Sequence, residues 1–338
     1  MPILALPEPQ DIPNRQGLIA SIPESVLDVC RRDCARPRSR YGRAMAALGA
    51  RLPCAPRGRR SHGAYLVDTK QPADIDTHDE FFRIRRVDAA PGEAFLLGLF
   101  KSLLILERDL AETPTALSDE RLAVLAGALQ ETLAAALGSQ AAAPLGLARR
   151  EEPAPTDHAG KRWIRGHQIF AALSQGMIFA LNAMEQADLG GDTARMGEAA
   201  GLSATLLSAS AVSLELTGDF PEAYYREVVR VGMESPFLPR GFSGLLSGDH
   251  RHLVGQMKRL RPTIDRLRER QPEKHARIYE ALGAVYASHR HVCARFVGAE
   301  QSSLLMAPTA GRSAVEQIDR FKAMRLRSWA PAETEDRR

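Results

Sequence analysis

A histidine and a cysteine spaced one helical turn apart have the clearest chemical potential in this sequence. His289 and Cys293 fall on one stripe at helical spacing, and apolar residues fill the rest of that stripe. A helix over about 273–298 would therefore place both side chains on its buried face, with His291 on the opposite face. The apolar members are Ile278, Leu282, Val285, Tyr286 and Phe296. An imidazole next to a thiol could serve nucleophilic catalysis, zinc ligation or contact with an iron porphyrin.

These three interpretations stay open on the residues alone, together with a purely structural role for the pair. Nucleophilic catalysis needs an exposed thiol and an oxyanion loop, which a buried i,i+4 pair lacks. A zinc site needs more Cys or His nearby, and Cys30, Cys34 and Cys54 complete no standard zinc set. In a porphyrin site, His289 would be an axial ligand or a distal acid–base group, with the thiol near a vinyl edge.

A second histidine faces inward on the preceding helix. His250 shares its face with Leu253, Val254 and Met257, whereas His252 lies among polar residues. Asp249 is a candidate N-cap of this helix and could also orient the imidazole. For His250 alone, a core histidine with satisfied hydrogen bonds is a more frequent outcome than a metal ligand.

Two arginine-containing segments suit anionic groups. Arg165 and His167 lie in the first turns of the helix KRWIRGHQIFAALSQ, and Arg312 with Ser313 precedes the last helix, where backbone N–H groups are free. Such segments are more often surface salt-bridge clusters. Next to a buried histidine they could hold heme propionates or an amino-acid carboxylate.

Helices must position all these residues, because apolar periodicity at helical spacing dominates after residue 92. It predicts helices over about 95–110, 118–137, 161–187, 192–216, 221–233, 250–261, 273–298 and 313–327. Ser313 and Glu316 form a capping box at the start of the last one. Residues 139–160 are a linker by their Ala, Pro and Gly content. No convincing strand pattern appears, so the predicted fold class is all-α.

The composition excludes several classes of protein. The chain has 338 residues, 44% of them hydrophobic and 25% charged, as in a soluble globular protein. Four cysteines are too few for a secreted disulfide framework. The opening residues are broken by prolines and lack a signal peptide pattern, and the least charged stretch, 168–184, is too short and too polar to span a membrane. We therefore expect a cytoplasmic protein without a membrane segment.

The first 95 residues differ from the rest in charge and proline content. They hold ten of the 21 prolines, and residues 31–60 carry ten arginines against Asp33. We expect a solvated, loosely structured segment over 1–95, packing on or extending from a helical domain over 96–330. A nucleic-acid-binding arm is the disfavoured alternative, because only Tyr41 interleaves the arginines as a stacking ring.

Several ordered motifs carry a resemblance to a known family. They are RWIRGHQIFAALSQG (162–176), SGDHRHL (247–253), YASHRHVCARFVG (286–298), SSLL (302–305) and RSAVEQIDRFKAMRL (312–326). Together they resemble the histidine-ligated heme-dependent aromatic oxygenases, and within them the tyrosine and 3-methyltyrosine hydroxylases of antibiotic biosynthesis. The resemblance covers about residues 161–328 and implies a helical bundle around a heme, similar to the tryptophan 2,3-dioxygenase-like superfamily.

The resemblance also implies roles for individual residues. The family's HxxxC motif matches His289 to Cys293, where the cysteine makes a single thioether bond to a heme vinyl group. The family's DH dipeptide matches Asp249 and His250, which makes His250 the axial iron ligand. His289 would be the second axial ligand or a proton-handling group beside the iron. His78, in DIDTHDEFF, is a weaker candidate for a distal base that hydrogen-bonds the phenol.

The remaining implied roles concern the cofactor edge and the substrate. Arg165 and His167 are candidates for contacts with the heme propionates or within the distal pocket. Asp249 is the candidate for the group that hydrogen-bonds the imidazole of His250. Arg312, with Ser313, is the candidate for the substrate carboxylate.

The activity that the resemblance implies is hydroxylation of L-tyrosine or 3-methyl-L-tyrosine, ortho to the phenol OH. Hydrogen peroxide would be the oxidant, a catechol the product and a homodimer the assembly. Two alternatives remain open at this point: an O2-dependent indole or tryptophan-type heme dioxygenase, and a heme-binding helical protein without turnover.

Overall fold

The computed structural model describes residues 2–35, 41–52, 72–140, 145–150, 158–234, 236–238, 242, 246–298 and 313–330. Helices dominate this part of the chain, which confirms the predicted all-α class. The N-terminal elements are β1 (Leu4–Pro7), α1 (Arg15–Ser21), α2 (Glu24–Cys34), α3 (Gly42–Gly49), α4 (Pro72–Phe81) and β2 (Ile84–Val87). The central helices are α5 (Pro91–Glu112), α6 (Asp119–Leu137), α7 (His158–Leu189) and α8 (Thr193–Thr217). The C-terminal helices are α9 (Glu222–Tyr224), α10 (Arg230–Gly232), α11 (Gly248–Arg259), α12 (Arg261–Arg270), α13 (Pro272–Phe296) and α14 (Ala314–Trp329).

Helices α7 and α8 form the centre of the bundle, with α5, α6 and α13 around them. Small residues let α7 and α8 approach closely: a Cβ on Gly166 would lie only 2.9 Å from the Cα of Thr217. By length and apolar composition α8 could cross a membrane, but 61% of its most apolar window is buried inside the fold. That burial is expected of a core helix in a globular protein.

Buried ion pairs fasten the start of α7 to the end of α5. Arg162 is completely buried and donates to Asp109 Oδ2 at 2.9 Å and to the carbonyl oxygens of Thr113, Pro114 and Asp219. A buried guanidinium is tolerated only when acceptors surround it in this way.

The described N-terminal residues pack on the core, one of the two arrangements expected for 1–95, and they form regular elements there rather than a loose segment. Leu4, Leu6, Leu18 and Leu27 are fully buried and belong to the same apolar cluster as α5 and α7. Strand β1 also pairs with β2 in parallel, from Leu4 opposite Ile84 to Pro7 opposite Val87. Neither strand was predicted, because four-residue strands are too short to show an alternating pattern.

The predicted helices are confirmed with small shifts at their ends, and the caps at Ser118 and Ser313 are present. Two local features were not predicted. Helix α12 was missed because its RPTIDRLRER sequence is highly charged. The helix predicted over 221–233 contains a π-helical turn, Tyr225–Val229, between α9 and α10.

Candidate functional site

Four helices bring together four of the histidines, His78 on α4, His167 on α7, His250 on α11 and His289 on α13. The charges of His78 and His289 contribute to lowering the pKa of His167, after the larger effect of burial. The same two histidines contribute to lowering the pKa of His250. Phe82 contacts both His78 and His167, with ring centroids 4.8 and 3.9 Å apart, and the electrostatic effects indicate that His250 and His289 lie near this pair.

Three of these imidazoles are neutral at pH 7. Burial lowers the pKa of His167 to about 3, and that of His250 and of His289 to about 4. Each side chain nevertheless keeps accessible surface and is only half-buried. A ring that is removed from bulk water yet still accessible is one that lines an internal cavity, and we infer that the three rings border one.

Cys293 lies one turn beyond His289 on α13 as a free, half-buried thiol. Burial raises its pKa to about 11, so the sulfur is protonated at neutral pH. Cys293 is also one of the minor causes that raise the pKa of Tyr225, which places the thiol near the π-helical turn. A thiol with a raised pKa is a poor nucleophile, which argues against a Cys–His catalytic pair.

Aromatic rings form two walls that meet at His167. Its ring stacks on Phe82 with centroids 3.9 Å apart and an interplanar angle of 12°, and lies 4.5 Å from Trp163. One wall, near His78, consists of Phe81, Phe82 and Phe242. The other consists of Trp163, Phe220, Tyr225 and Phe296, with Tyr225 and Phe296 stacked at 4.5 Å and 5°. Such walls suit a flat aromatic ligand.

The π-helical turn supplies Tyr225 to the second wall. Extra residues inserted as a π-turn often occur at functional sites, because they redirect side chains from the regular helical path. Apolar spacing alone could not have predicted this turn, and neither Tyr225 nor Phe82 was among the candidate site residues.

Asp249 does not have the role predicted from the sequence. The N-cap of α11 is Ser247, whose side chain accepts from the backbone N–H of His250. Both carboxylate oxygens of Asp249 accept from Arg86, at 2.9 and 2.6 Å, and Oδ1 also accepts from Gln175 at 3.0 Å. Because both of its oxygens accept hydrogen bonds from these donors, Asp249 anchors α11 in the fold. It makes no hydrogen bond to the His250 ring in the described structure.

Arg86 is the centre of a buried network that sequence analysis missed. It is 5% exposed and donates to Asp79 on α4, to Asp249 on α11 and to the carbonyl oxygen of Pro7 in β1. Asp79 in turn lies 3.4 Å from Nδ1 of His78. The network therefore fixes the helix of His78 relative to the helix of His250.

Arg165 and Ser313 are occupied by contacts within the protein. Arg165 is buried, and its NH groups face Glu112 Oε2 at 2.5 Å and Asp109 Oδ1 at 3.5 Å. The predicted propionate contact stays a prediction: internal carboxylates neutralise the charge of Arg165, but in the described structure its buried Nε has no hydrogen-bond partner. Ser313 caps α14 by accepting from the N–H of Glu316. Arg312 lies outside the described residues.

The described residues suit a large planar metal complex better than a bare metal ion. In the part of the chain that the structure covers, no three His, Cys, Asp or Glu side chains converge to hold an ion. Neutral imidazoles on separate helices, a protonated thiol and aromatic walls match the needs of a heme, which takes one or two axial ligands and apolar surroundings.

Comparisons with known proteins agree with this interpretation. A family model described as SfmD 3-methyl-L-tyrosine peroxygenase matches residues 5–276. The match includes most of the N-terminal segment, which the resemblance drawn from motifs had left out, and it ends before His289 and Cys293.

One curated relative and one solved structure are similar to the chain. The 3-methyl-L-tyrosine peroxygenase of Streptomyces lavendulae is 32% identical over 166 residues, which are 49% of this chain and 46% of the relative. The alignment thus spans about half the length of that relative. The crystal structure of reduced SfmD, soaked with sodium hydrosulfite, has a TM-score of 0.67 at 22% identity and covers 86% of this chain and 96% of SfmD. This similarity establishes the fold.

Proposed function

The chain belongs to the SfmD 3-methyl-L-tyrosine peroxygenase family, and we propose on that premise that it is a heme-dependent peroxygenase acting on 3-methyl-L-tyrosine or L-tyrosine. Hydrogen peroxide would donate one oxygen atom to the ring carbon next to the phenol OH and leave as water, giving a catechol. The observation that carries the proposal is the group of four histidines with Cys293 between aromatic walls.

His250 and His289 are the proposed heme-binding histidines. Their lowered pKa values keep the imidazoles neutral, and a neutral ring nitrogen is the form that binds iron. Heme bound here would supply the activation of peroxide. Cys293 is the proposed covalent anchor: its S–H would add across a heme vinyl group to form one thioether, with no net oxidation or reduction.

His289 and His78 are the residues proposed to accept a proton or a hydrogen bond during the reaction. A neutral His289 can accept a proton at a ring nitrogen when it is not bound to iron. Nδ1 of His78 faces Asp79, so its Nε2 is the atom directed elsewhere and able to accept a hydrogen bond from the substrate phenol. Phe81, Phe82 and Phe242 beside it would exclude water and pack against the substrate ring.

The substrate carboxylate is proposed to bind near the start of α14. Arg312 is the charged candidate, whereas the Ser313 hydroxyl is already used as the helix cap. The cytoplasmic location and the homodimer stay predictions, which fractionation and light scattering can check.

The intact mass of the heme-loaded protein under denaturing conditions tests the proposed cofactor attachment. We expect the mass to increase by one heme in the wild type and in Cys34→Ala, the control at a different free cysteine, which is buried. The increase should disappear in Cys293→Ala. Heme that still resists extraction from Cys293→Ala would refute the thioether.

Product analysis tests the activity itself. With peroxide and 3-methyl-L-tyrosine, the loaded protein should form a catechol, and tyrosine in parallel shows whether the methyl group is required. A heme spectrum without catechol would leave the two alternatives, an O2-dependent indole dioxygenase and a heme-binding protein without turnover. A spectral shift with tryptophan but not with tyrosine would favour the dioxygenase.

A further inference from the structure

Helix α7 carries two unpaired ring nitrogens one turn apart, on Trp163 and His167. The indole Nε1–H of Trp163 is buried and has no hydrogen-bond acceptor among the described residues. The two rings are in contact, with centroids 4.5 Å apart and an interplanar angle of 57°. A buried N–H without an acceptor is costly, so it is expected where a ligand supplies the acceptor.

The hydrogen bond of His167 determines which of its nitrogens can serve a ligand. Nδ1 lies 2.7 Å from the carbonyl oxygen of Trp163, and a carbonyl oxygen can only accept, so Nδ1 carries the proton. Burial keeps the imidazole neutral by lowering its pKa to about 3, which leaves Nε2 as an unprotonated acceptor. Nothing in the described part of the chain donates to Nε2, and the side chain is only half-buried.

Aromatic contacts hold both rings in place. Phe82 stacks on His167 with centroids 3.9 Å apart and an interplanar angle of 12°. The indole of Trp163 contacts Tyr225 edge-to-face at 5.6 Å and Phe220 at 6.3 Å. Rings enclosed in this way lose little rotamer freedom when a ligand binds, so the two nitrogens are preorganised.

The two nitrogens require a ligand that has both a donor and an acceptor. Nε2 of His167 can only accept, and the N–H of Trp163 can only donate. An ionised heme propionate has no proton to donate and would leave Nε2 unpaired. The zwitterionic head group of an amino acid supplies both, since its ammonium donates and its carboxylate accepts. The faces of the Trp163 and Tyr225 rings also attract an ammonium.

The position of His167 relative to His78 suits a molecule of the length of tyrosine. The Phe82 ring contacts both imidazoles, with its centroid 4.8 Å from that of His78 and 3.9 Å from that of His167. His78 is the proposed partner of the phenol OH, so one phenyl ring separates it from the candidate partner of the head group. In tyrosine, the phenol OH and the head group likewise lie at opposite ends of one aromatic ring.

We propose that His167 and Trp163 form the subsite for the head group of the amino-acid substrate. His167 Nε2 accepts from the α-ammonium, and the Trp163 N–H donates to one oxygen of the α-carboxylate. The inference rests on the proposed function, which supplies the amino acid. Arg312 stays the charged candidate for the other carboxylate oxygen.

Matched variants and truncated substrates test the subsite. His167→Phe removes both nitrogens but keeps a flat ring, His167→Gln keeps an acceptor, and Trp163→Phe removes the N–H but keeps an aromatic ring. His291→Phe, at an exposed histidine, is the control. Optical difference spectra of the heme-loaded protein give the Kd for three ligands. These are 3-methyl-L-tyrosine, the amine that lacks its carboxylate and the propionic acid that lacks its ammonium.

Each variant should lose affinity only for the ligands that carry the group it contacts. His167→Phe should raise the Kd for 3-methyl-L-tyrosine and for the amine about tenfold or more, because a hydrogen bond to a charged group is lost. The Kd for the propionic acid should stay unchanged. Trp163→Phe should raise the Kd for 3-methyl-L-tyrosine and for the propionic acid by a similar factor, and that for the amine much less. His167→Gln should retain most of the affinity and His291→Phe all of it.

Losses without this selectivity would overturn the subsite. If His167→Phe weakens all three ligands equally, or none of them, His167 is only part of the cavity wall. Hemin release to apomyoglobin, measured in a Cys293→Ala background, tests the propionate alternative. Faster release from Trp163→Phe with unchanged Kd values would assign the indole N–H to a propionate instead.

Failure of the subsite and failure of the proposed function give different results. Wild-type protein that loads heme and forms catechol, with variants that show no selectivity, refutes the subsite alone. Selective losses in a protein that forms no catechol refute the peroxygenase activity alone. A wild-type chain that binds neither heme nor 3-methyl-L-tyrosine by calorimetry refutes both. Should His167→Phe fail to fold by circular dichroism, Trp163→Phe decides through its Kd values for the amine and the propionic acid.

Discussion

Two buried polar regions lie side by side in this protein and differ in how well they are paired. Around Arg86, the guanidinium and both carboxylates are hydrogen-bonded to one another, to Nε2 of Gln175 and to the Pro7 carbonyl, and among these described residues only the Gln175 Oε1 lacks a partner. Around His250 and His289, the rings have lowered pKa values yet keep accessible surface. Pairing of every charged group is typical of a structural network, and accessible, unpaired rings are typical of a site built for a ligand.

The boundary between the regions falls between two adjacent residues. Asp249 is completely buried and enclosed by donors, whereas His250, the next residue on α11, is only half-buried. One side chain holds the helix in place, and its neighbour is the proposed iron ligand. A role in anchoring and a role in chemistry can therefore be separated by mutation.

The largest effect on stability is expected from Arg86→Met. It leaves the carboxylates of Asp79 and Asp249 buried without their cation, which should lower the free energy of unfolding by about 3–5 kcal/mol. Urea denaturation of the apoprotein measures this. The control is Arg290→Met, which breaks an exposed pair with Asp319 and should cost roughly 0–1 kcal/mol. Equal losses in the two variants would contradict the contrast drawn between the regions.

Acid should weaken the fold through the cavity histidines. Their folded-state pKa values, about 3 for His167 and about 4 for His250 and His289, lie below the ordinary 6.5. The unfolded chain therefore binds more protons between these values, and stability falls as the pH drops from about 6.5 towards 4. The slope is at most about 1.4 kcal/mol per pH unit for each histidine.

Urea midpoints of the apoprotein between pH 7.5 and 5 check this pH dependence. His289→Gln should flatten the slope, while His291→Gln, on the exposed face of the same helix, should leave it unchanged. An identical slope in both variants would show that His289 titrates normally.

Gly166→Ala should disturb the packing between α7 and α8. The added Cβ would lie 2.9 Å from the Thr217 backbone, so the helices must move apart at the residue preceding His167. We expect a loss of about 1–3 kcal/mol in unfolding free energy. Gly127→Ala on α6 is the matched control, since its Cβ meets nothing within 4 Å, and it should stabilise by up to about 1 kcal/mol.

The smallest change in stability is expected from His250→Asn. At pH 7.5 the unfolding free energy of the apoprotein should change by about 0.5 kcal/mol or less, because residues kept for ligand binding seldom stabilise the empty fold. The Soret band should be lost or shifted after heme addition. A large loss of stability with an unchanged spectrum would assign His250 to the structural region instead.

The predictable parts of this structure are those with local signals. Apolar spacing on α13 identified the shared face of His289 and Cys293, and the resemblance identified His250. Ser118 and Ser313 marked helix starts because a capping side chain acts within three residues.

The unpredictable parts depend on contacts between distant residues. Arg86 and Asp249 are 163 positions apart, and no local pattern indicates that they meet. The stacking of Phe82 on His167 and the burial of Leu4 and Leu6 have the same origin. Asp249 was predicted to cap the helix of His250 and to orient its imidazole, because a sequence shows only which residues are neighbours in the chain.

The parallel pairing of β1 with β2 also has a consequence for the order of assembly during synthesis. The Pro7 carbonyl joins a network completed by Gln175 and Asp249, residues that leave the ribosome long after β1 and β2. Contacts across such sequence separations form late and slowly. Until α11 emerges, Arg86 has only part of its final set of acceptors, so the network cannot close before synthesis has passed that helix.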